Sequence, residues 1–318
     1  MNKQFVISFL CGVMLVAGTA CKNENTPENK TVQKRHLTIR MSDEGQSTKV
    51  SPRHIKNATI DDMGTTLSAE WTAGDAVSCC NLSTANYDVG NDEYSPYIGS
   101  MTATTTGRRS DLTGDVECIP NDYLAIVYPA ANLADESYIE GSAPIHCKYI
   151  LSLAGQDGTL ERLASTYHYS YGRAHIVSVN GDNAEATMDK MQSLMTVCKF
   201  SFVEKDHESN GALPITTLKI NYGGDGSDAN TYPQTATVDV TNMTENSAVQ
   251  AATATSAEFL TIAASEATEV YVALMPTIAS RTYNFTVTND NGIYTGTAEA
   301  WLKKGEYVPA TGLKLTKQ

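Results

Sequence analysis

The chain has 318 residues, enough for about two domains of roughly 150 residues each. Charged residues make up 19% and the apolar group 41%, which excludes a charge-rich disordered chain and a coiled coil. The net charge is −13 and the body of the chain carries no basic stripe, so we expect no nucleic-acid partner. These values predict a folded, globular body.

The N-terminus has the pattern of an export signal. An apolar run from Phe5 to Ala17 follows Lys3, and it is shorter than the roughly 20 residues that span a bilayer. Small residues then lead to Cys21 in a pattern that resembles the bacterial lipobox, where the cysteine receives lipid. We therefore expect residues 1–20 to be a signal peptide and Cys21 to be lipidated. An ordinary signal peptide that happens to contain Cys21 is the alternative.

A polar, basic arm follows the lipidation site. Residues 22–56 hold eight Lys or Arg against four acids, whereas residues 57–318 hold 14 against 32. This composition predicts a flexible tether. Its peptide bonds should be accessible to a protease specific for Arg or Lys. Lys22 follows Cys21, and in the lipoproteins that this pattern resembles, a residue other than Asp favours the outer membrane and the cell surface.

Five cysteines remain in the expected mature chain once Cys21 carries lipid. Cys79 and Cys80 are adjacent in a strand-like run, so their side chains should point to opposite faces and neither bond each other nor share a metal. The others are Cys118, Cys147 and Cys198. No CxxC spacing occurs, so buried free thiols are favoured over a disulfide.

Alternating β-branched and aromatic residues recur along the chain, and clusters of Gly, Asn, Asp and Pro punctuate them. Asn291-Gly292 between alternating strands predicts a hairpin, and only Gly158 to Ala164 looks like a helical turn. The pattern predicts an all-β protein with two tandem β-sandwiches, at 57–185 and 186–318. The predicted strands are 37–41, 70–79, 123–128, 146–153, 196–203, 218–222, 235–240, 269–275, 283–288 and 293–301.

Several short sequence segments, in the order in which they occur, resemble segments of the fimbrillin family, the type V pilins of Bacteroidales. Besides the lipobox, the strand at 37–41 and the basic loop ending Ser51-Pro52-Arg53, they are Trp71-Thr72-Ala73-Gly74-Asp75, Tyr123-Leu124-Ala125-Ile126-Val127-Tyr128-Pro129, Gly158-Thr159-Leu160, Met188-Asp189-Lys190-Met191-Gln192-Ser193-Leu194-Met195 and Lys304-Gly305-Glu306-Tyr307. The resemblance implies two transthyretin-like β-sandwich domains. It also implies export as a lipoprotein, removal of the N-terminal segment by a trypsin-like, Arg-specific protease, and polymerisation with other pilin subunits.

In that family the removed segment contains the first strand of the fold. Here the resemblance assigns that role to the strand with Leu37, Ile39 and Met41, within a removable region at 21–56. Its loss would leave a groove with unpaired backbone groups that favours a strand from another subunit. The C-terminal segment offers such a donor, with Val308, Leu313 and Leu315 as the side chains that would fill the groove.

Arg53 is the residue that matches the family's cleavage position, and it lies in a basic loop after the removable strand. Arg40 lies inside that strand and should be protected. Lys34-Arg35 precedes the predicted strand at 37–41, so cleavage there would leave the strand in place and open no groove. A solvated surface arginine is the alternative reading of Arg53.

No motif of catalysis or of cofactor binding occurs, and no metal site is expected. The six histidines are scattered, which favours surface or satisfied core positions over metal ligation. Tyr167, Tyr169 and Tyr171 alternate; an exposed row would favour glycan stacking or partner contact, and a buried row would favour a seam between domains.

These observations predict a non-enzymatic structural or adhesive subunit of a cell-surface pilus, anchored to the outer membrane through lipid until cleavage. The first alternative is a surface lipoprotein that binds a host glycan or protein and never polymerises. The second is an extracellular glycosidase, which would need two carboxylates flanking a cleft. The sequence does not identify a host or bacterial surface ligand.

Overall fold

The computed structural model describes residues 32–41, 70–88, 93–130, 133–138, 147–188, 190–225, 227–241, 250–251 and 259–318. Most of these residues lie in β-strands, and the described part contains one short α-helix, α1 (Leu160–Arg162), which a π-helical turn at Leu163–Tyr167 extends. A 3-10 turn occupies Glu208–Asn210. The all-β class is therefore confirmed, and α1 falls where the sequence predicts its helical turn.

The described strands, in chain order, are β1 (Gln33–Met41), β2 (Ala76–Asp88), β3 (Glu93–Ala103), β4 (Leu112–Cys118), β5 (Tyr123–Tyr128), β6 (Leu133–Tyr138), β7 (Cys147–Ser152), β8 (Ser170–Asn180), β9 (Asn183–Met188), β10 (Gln192–Ser193), β11 (Thr196–Glu204), β12 (Ile215–Tyr222), β13 (Thr235–Asp239), β14 (Gln250–Ala251), β15 (Leu260–Ala267), β16 (Val270–Leu274), β17 (Arg281–Asn289), β18 (Gly292–Ala300) and β19 (Tyr307–Lys317).

The first sheet has eight strands in the order β10-β8-β5-β2-β3-β4-β1-β9. An additional pairing between β8 and β9 closes seven of these strands into a ring. All of its pairs are antiparallel except β1 with β9. Alternate side chains point inward and form one core, which includes Leu37, Ile39, Trp71, Val77, Met101, Leu112, Leu124, Ile126 and Ile176.

Two further sheets complete the fold. A seven-stranded sheet has the order β15-β12-β17-β18-β19-β11-β16, and a four-stranded sheet has the order β14-β13-β7-β6. The hairpin predicted at Asn291-Gly292 is confirmed, because it joins β17 to β18. Gly292 has φ +137°, a conformation that side-chain-bearing residues rarely adopt.

A second core joins all three sheets. Its buried residues come from the outer face of the ring, from the four-stranded sheet and from the seven-stranded sheet, and they include Val127, Leu151, Val197, Val238, Ile262 and Phe285. Tyr167, Tyr169 and Tyr171 are buried in the same core. Their burial favours the seam over an exposed binding row.

The chain passes from the first sheet to the seven-stranded sheet between Ser193 and Thr196. The four-stranded sheet takes β6 and β7 from the first half of the chain and β13 and β14 from the second. The division into two domains at 57–185 and 186–318 remains a proposal. Because β7 pairs with β13, the two halves share one sheet.

The expectation of free thiols is wrong for one pair of cysteines. Cys80 and Cys147 form a disulfide between β2 and β7, with Cα atoms 6.7 Å apart and a sequence separation of 67. The cause is tertiary, because β7 lies against the outer face of β2, where the hydroxyls of Ser78 and Tyr149 are 3.0 Å apart.

The other three cysteines are buried free thiols, as predicted: Cys79, Cys118 and Cys198. Cys79 faces the core inside the ring and Cys80 the core outside it, which confirms that adjacent cysteines point to opposite faces. Burial raises the pKa of Cys79 and Cys198. Burial, together with nearby Asp122, raises the pKa of Cys118 to about 11.

Candidate functional site

The strand predicted to be removable, β1, is an interior strand of the ring. It pairs antiparallel with β4, from Gln33 opposite Cys118 to Ile39 opposite Leu112. On its other edge it runs parallel to β9, from His36 opposite Asn183 to Met41 opposite Met188. Neighbouring strands therefore pair with both edges of β1.

The inward side chains of β1 belong to the core of the ring. Leu37 and Ile39 are fully buried, and Met41 is partly buried against the same core. Burying each of the first two contributes on the order of 1.5 to 3 kcal/mol. The alternating sequence predicts this inward set because period two places every second side chain on one face.

The outward side chains of β1 make polar contacts with both neighbours. His36 Nδ1 lies 3.2 Å from Asp115 Oδ1 on β4, and Arg40 Nη2 donates to Glu185 Oε1 on β9 at 2.9 Å. Lys34 Nζ is 3.8 Å from Asp115 Oδ2. These side chains are more than half exposed, so each pair contributes little to stability.

Arg35 corrects one prediction about the arm. The sequence places Lys34-Arg35 ahead of the strand, whereas β1 already begins at Gln33. Arg35 is buried, its Nε donates to Cys118 O at 3.2 Å, and its Nη1 donates to Gly181 O. The prediction that Arg40 lies inside the strand is confirmed. Both arginines are therefore held in regular, paired backbone.

The strand proposed as donor, β19, lies in the seven-stranded sheet of its own subunit. It runs parallel to β11, from Val197 opposite Tyr307 to Glu204 opposite Leu315, and its last residues pair antiparallel with β18. Leu315 is fully buried, while Val308 and Leu313 are partly buried against the shared core. The predicted donor side chains thus already fill a position in their own sheet.

A bulge brings these three side chains to one face. Val308 and Leu313 are five residues apart, a spacing that in a regular strand puts them on opposite faces. The register between β11 and β19 shifts between Phe200 and Phe202. Gly312, with φ +69°, lies at this shift and its N–H donates to Ser201 Oγ at 2.9 Å.

Two contacts hold the end of β19 in place. A Cβ on Gly296 of β18 would lie 2.7 Å from Leu315 Cδ2 and 2.8 Å from Lys314 O, so Leu315 needs a residue without a side chain there. Lys314 Nζ lies 2.7 Å from Glu208 Oε1. Hydrogen bonding between them raises the pKa of Lys314 and lowers that of Glu208. Sequence reasoning singles out neither Gly296 nor Glu208.

The structure does not bring β1 and β19 together. They lie in different sheets and pack into different cores. Their surroundings are nevertheless alike, since each lies between one parallel and one antiparallel neighbour. Cys21 and Arg53, the predicted lipidation and cleavage residues, lie outside the described residues.

Within the described ranges, no group of three or more His, Cys, Asp or Glu side chains is arranged to hold a metal ion. No helix in the same part of the chain is both long and apolar enough to cross a membrane.

The chain was compared with known proteins. No family model matches the chain, and no curated protein matches it. Among solved structures, a candidate cell adhesion protein from Bacteroides uniformis aligns with 12% identity over 90% of this chain and 96% of its own, with a TM-score of 0.49.

Two further solved structures align over a similar share of the chain. A fimbrial protein from Bacteroides vulgatus has 10% identity over 90% of this chain and 97% of its own, with a TM-score of 0.34. The shaft pilin SpaA of Lactobacillus rhamnosus GG has 11% identity over 91% of this chain and 98% of its own, with a TM-score of 0.31. These three solved structures are thus a candidate cell adhesion protein, a fimbrial protein and a shaft pilin.

Proposed function

We propose that this chain is a non-enzymatic structural or adhesive subunit of a cell-surface fibre. In this proposal the precursor is exported and lipidated at Cys21, which anchors it to the outer membrane. A trypsin-like, Arg-specific protease then cuts after Arg53 and releases the segment that contains β1. A strand from another subunit takes the vacated position.

The observation that carries the proposal is the place of β1. This strand comes first among the described strands, yet it lies between two neighbours and buries Leu37 and Ile39. Its departure would unpair seven residues of β4 and six of β9 and expose apolar side chains. Unpaired strand edges next to an apolar floor favour the addition of another strand.

The second support is the match between β19 and the vacated position. A strand placed there would have β4 antiparallel on one side and β9 parallel on the other, the same arrangement that β19 has with β18 and β11. Its apolar face, with Val308, Leu313 and Leu315, would replace that of β1. The partner in assembly is therefore another subunit of the same kind.

The test compares two arginine variants expressed in the natural host. Arg53→Ala should leave the chain exported but unpolymerised, with lipid still at Cys21, because β1 stays in the ring. Arg40→Ala is the matched control and should polymerise normally, since Arg40 lies inside β1. The measurements are SDS-resistant oligomers on gels and the N-terminal sequence of material sheared from the cells.

Oligomer ladders that persist in Arg53→Ala would remove Arg53 from the mechanism. A wild-type chain that keeps lipidated Cys21 and forms no oligomers would instead support the alternative, a surface lipoprotein that binds its ligand as a monomer.

A further inference from the structure

Two large apolar residues are exposed on neighbouring segments in the second half of the chain. Ile278 is 91% exposed and Trp301 is 53% exposed. The indole Nε1 of Trp301 donates to Thr277 O at 3.0 Å, which places the ring beside the loop that carries Ile278. We call these two residues the hinge patch. Exposed, adjacent apolar side chains of this size are typical of protein contact sites.

A backbone hydrogen bond and a cation–π contact hold the hinge patch in place. Thr277 N donates to Leu302 O at 2.8 Å, and Leu302 itself is buried in the shared core. Lys303 Nζ lies 4.8 Å from the centre of the Trp301 ring. A fixed aromatic ring loses little conformational freedom on binding, and tryptophan is enriched among the residues that dominate interface energies.

The hinge patch lies just ahead of the proposed donor strand. Tyr307, where β19 begins, follows Trp301 by six positions, and Gly305 between them has φ +75°. An extended chain spans at most about 3.3 to 3.6 Å per residue, so these residues reach about 20 Å. A copy that receives β19 must therefore bring the start of its groove within about 20 Å of the hinge patch.

The receiving end of the ring also carries exposed apolar side chains. A donor with the direction of β1 enters beside the end of β4 and the start of β9. At this same end β5 begins and β8 ends, and there Tyr123 is 42% and Val177 is 50% exposed. We call Tyr123 and Val177 the rim patch. The Tyr123 ring is stacked on His175, with centroids 4.6 Å apart.

We propose that the hinge patch of one copy packs against the rim patch of the copy that receives its β19. This inference rests on the proposed function, in that β19 is taken to occupy the position of β1 in the same direction. It adds a contact surface outside the groove, between two copies of this chain. The groove then binds the strand, and the two patches fix the angle between successive subunits.

The experiment separates the patches from the groove. A labelled peptide of residues 307–318 contains the strand but neither patch, so its uptake by the protease-cut chain reports on the groove alone. Self-assembly of the cut chain, followed by light scattering at a fixed concentration, reports on both. The variants are Ile278→Asp and Trp301→Ala in the hinge patch, Val177→Asp in the rim patch, and Phe259→Asp, which changes an exposed apolar residue outside both patches, as control.

We expect each patch variant to slow assembly about tenfold, the effect of losing one contact that dominates an interface. Peptide uptake should stay unchanged, and Phe259→Asp should assemble like the wild type. Ile278→Asp mixed with Val177→Lys should recover part of the rate through opposite charges. Normal assembly of Ile278→Asp and Val177→Asp, with normal peptide uptake, would overturn the inference. If the cut wild-type chain takes up no peptide, the proposed strand exchange fails and this inference falls with it.

Discussion

At the scale of single residues, His168 is a buried histidine that couples the stability of the fold to pH. The sequence favours surface or satisfied core positions for the histidines, whereas His168 is fully buried at the end of the π-helical turn. Neither of its ring nitrogens has a hydrogen-bond partner. Burial lowers the pKa of His168 to about 4, from an ordinary value of 6.5. A buried histidine of this kind stays neutral near pH 7 and opposes folding in acid.

The sign of the pH dependence follows from proton uptake. Below pH 6.5 the unfolded chain protonates His168, while the folded chain does not until about pH 4. The free energy of unfolding should therefore fall by about 1.4 kcal/mol per pH unit in this window, from this residue alone. His168→Leu should lack this contribution. Between pH 7 and pH 4.5 its free energy of unfolding should therefore fall by roughly 2 kcal/mol less than that of the wild type.

Urea unfolding at pH 7 and pH 4.5 measures this effect. His207→Leu, at an exposed position, is the control and should follow the wild-type pH dependence. If the free energies of wild type and His168→Leu change in parallel with pH, the neutral buried histidine is not the cause.

At the scale of elements, the same alternation leads to different outcomes in β1 and β19. Both strands have an apolar face, which a bulge interrupts in β19. β1 is paired along both edges and closes a ring, whereas β19 pairs with β18 only at its last residues. β19 has fewer paired positions than β1, so it should open at lower free energy than β1. That difference suits a strand that leaves its own sheet to join another.

Substitution of Gly296 tests whether β19 opens independently of β1. In Gly296→Ala the added methyl group would meet Leu315 Cδ2 at 2.7 Å and Lys314 O at 2.8 Å, so β19 must shift. We expect a loss of about 1 to 3 kcal/mol, as for other crowded packing contacts. Hydrogen exchange in residues 307–317 should speed up while β1 keeps its protection.

Thr297→Ala, the neighbouring exposed position on β18, is the matched control and should leave exchange in β19 unchanged. In the fibre proposal, Gly296→Ala also assembles faster, because β19 leaves its sheet more readily. Uniformly faster exchange in all strands would show that Gly296 serves general stability rather than the seating of β19.

At the scale of the whole molecule, a shared core and a shared sheet tie the two halves together. The core that joins the three sheets takes residues from both halves, and β7 pairs with β13 along five residues. Cys80–Cys147 adds a covalent link between the ring and the four-stranded sheet. The described part of the chain should therefore unfold as one cooperative unit.

The disulfide closes a loop of 67 residues, for which the chain-entropy relation gives about 4 kcal/mol. A reductant should lower the free energy of unfolding of the wild type by roughly this amount. The double variant Cys80→Ala/Cys147→Ala should be destabilised and insensitive to reductant, measured by urea unfolding. Cys198→Ala, at a buried free thiol, should retain the full sensitivity, and a wild type unaffected by reductant would contradict the prediction.

The sequence by itself determined the all-β class, the hairpin at Asn291-Gly292, the inward set of β1 and the opposite faces of Cys79 and Cys80. These features are local, since period two and turn chemistry act over a few residues. The strands that the sequence did not predict are β3, β4, β6, β8, β9, β10, β14 and β15, even though each pairs with other described strands. Strand pairing is non-local, so a short strand can be stabilised by neighbours that its own residues do not specify.

Only the tertiary structure decided which strands distant in sequence pair with each other. The pairing of β1 with β4 and β9, the sheet built from both halves and the Cys80–Cys147 link all join residues distant in sequence. The need for glycine at 296 and the bulge at Gly312 also depend on tertiary structure. Each is set by packing against a strand that the local sequence does not specify. Alternation predicts that a strand has an apolar face, but packing against the rest of the chain decides which core that face enters.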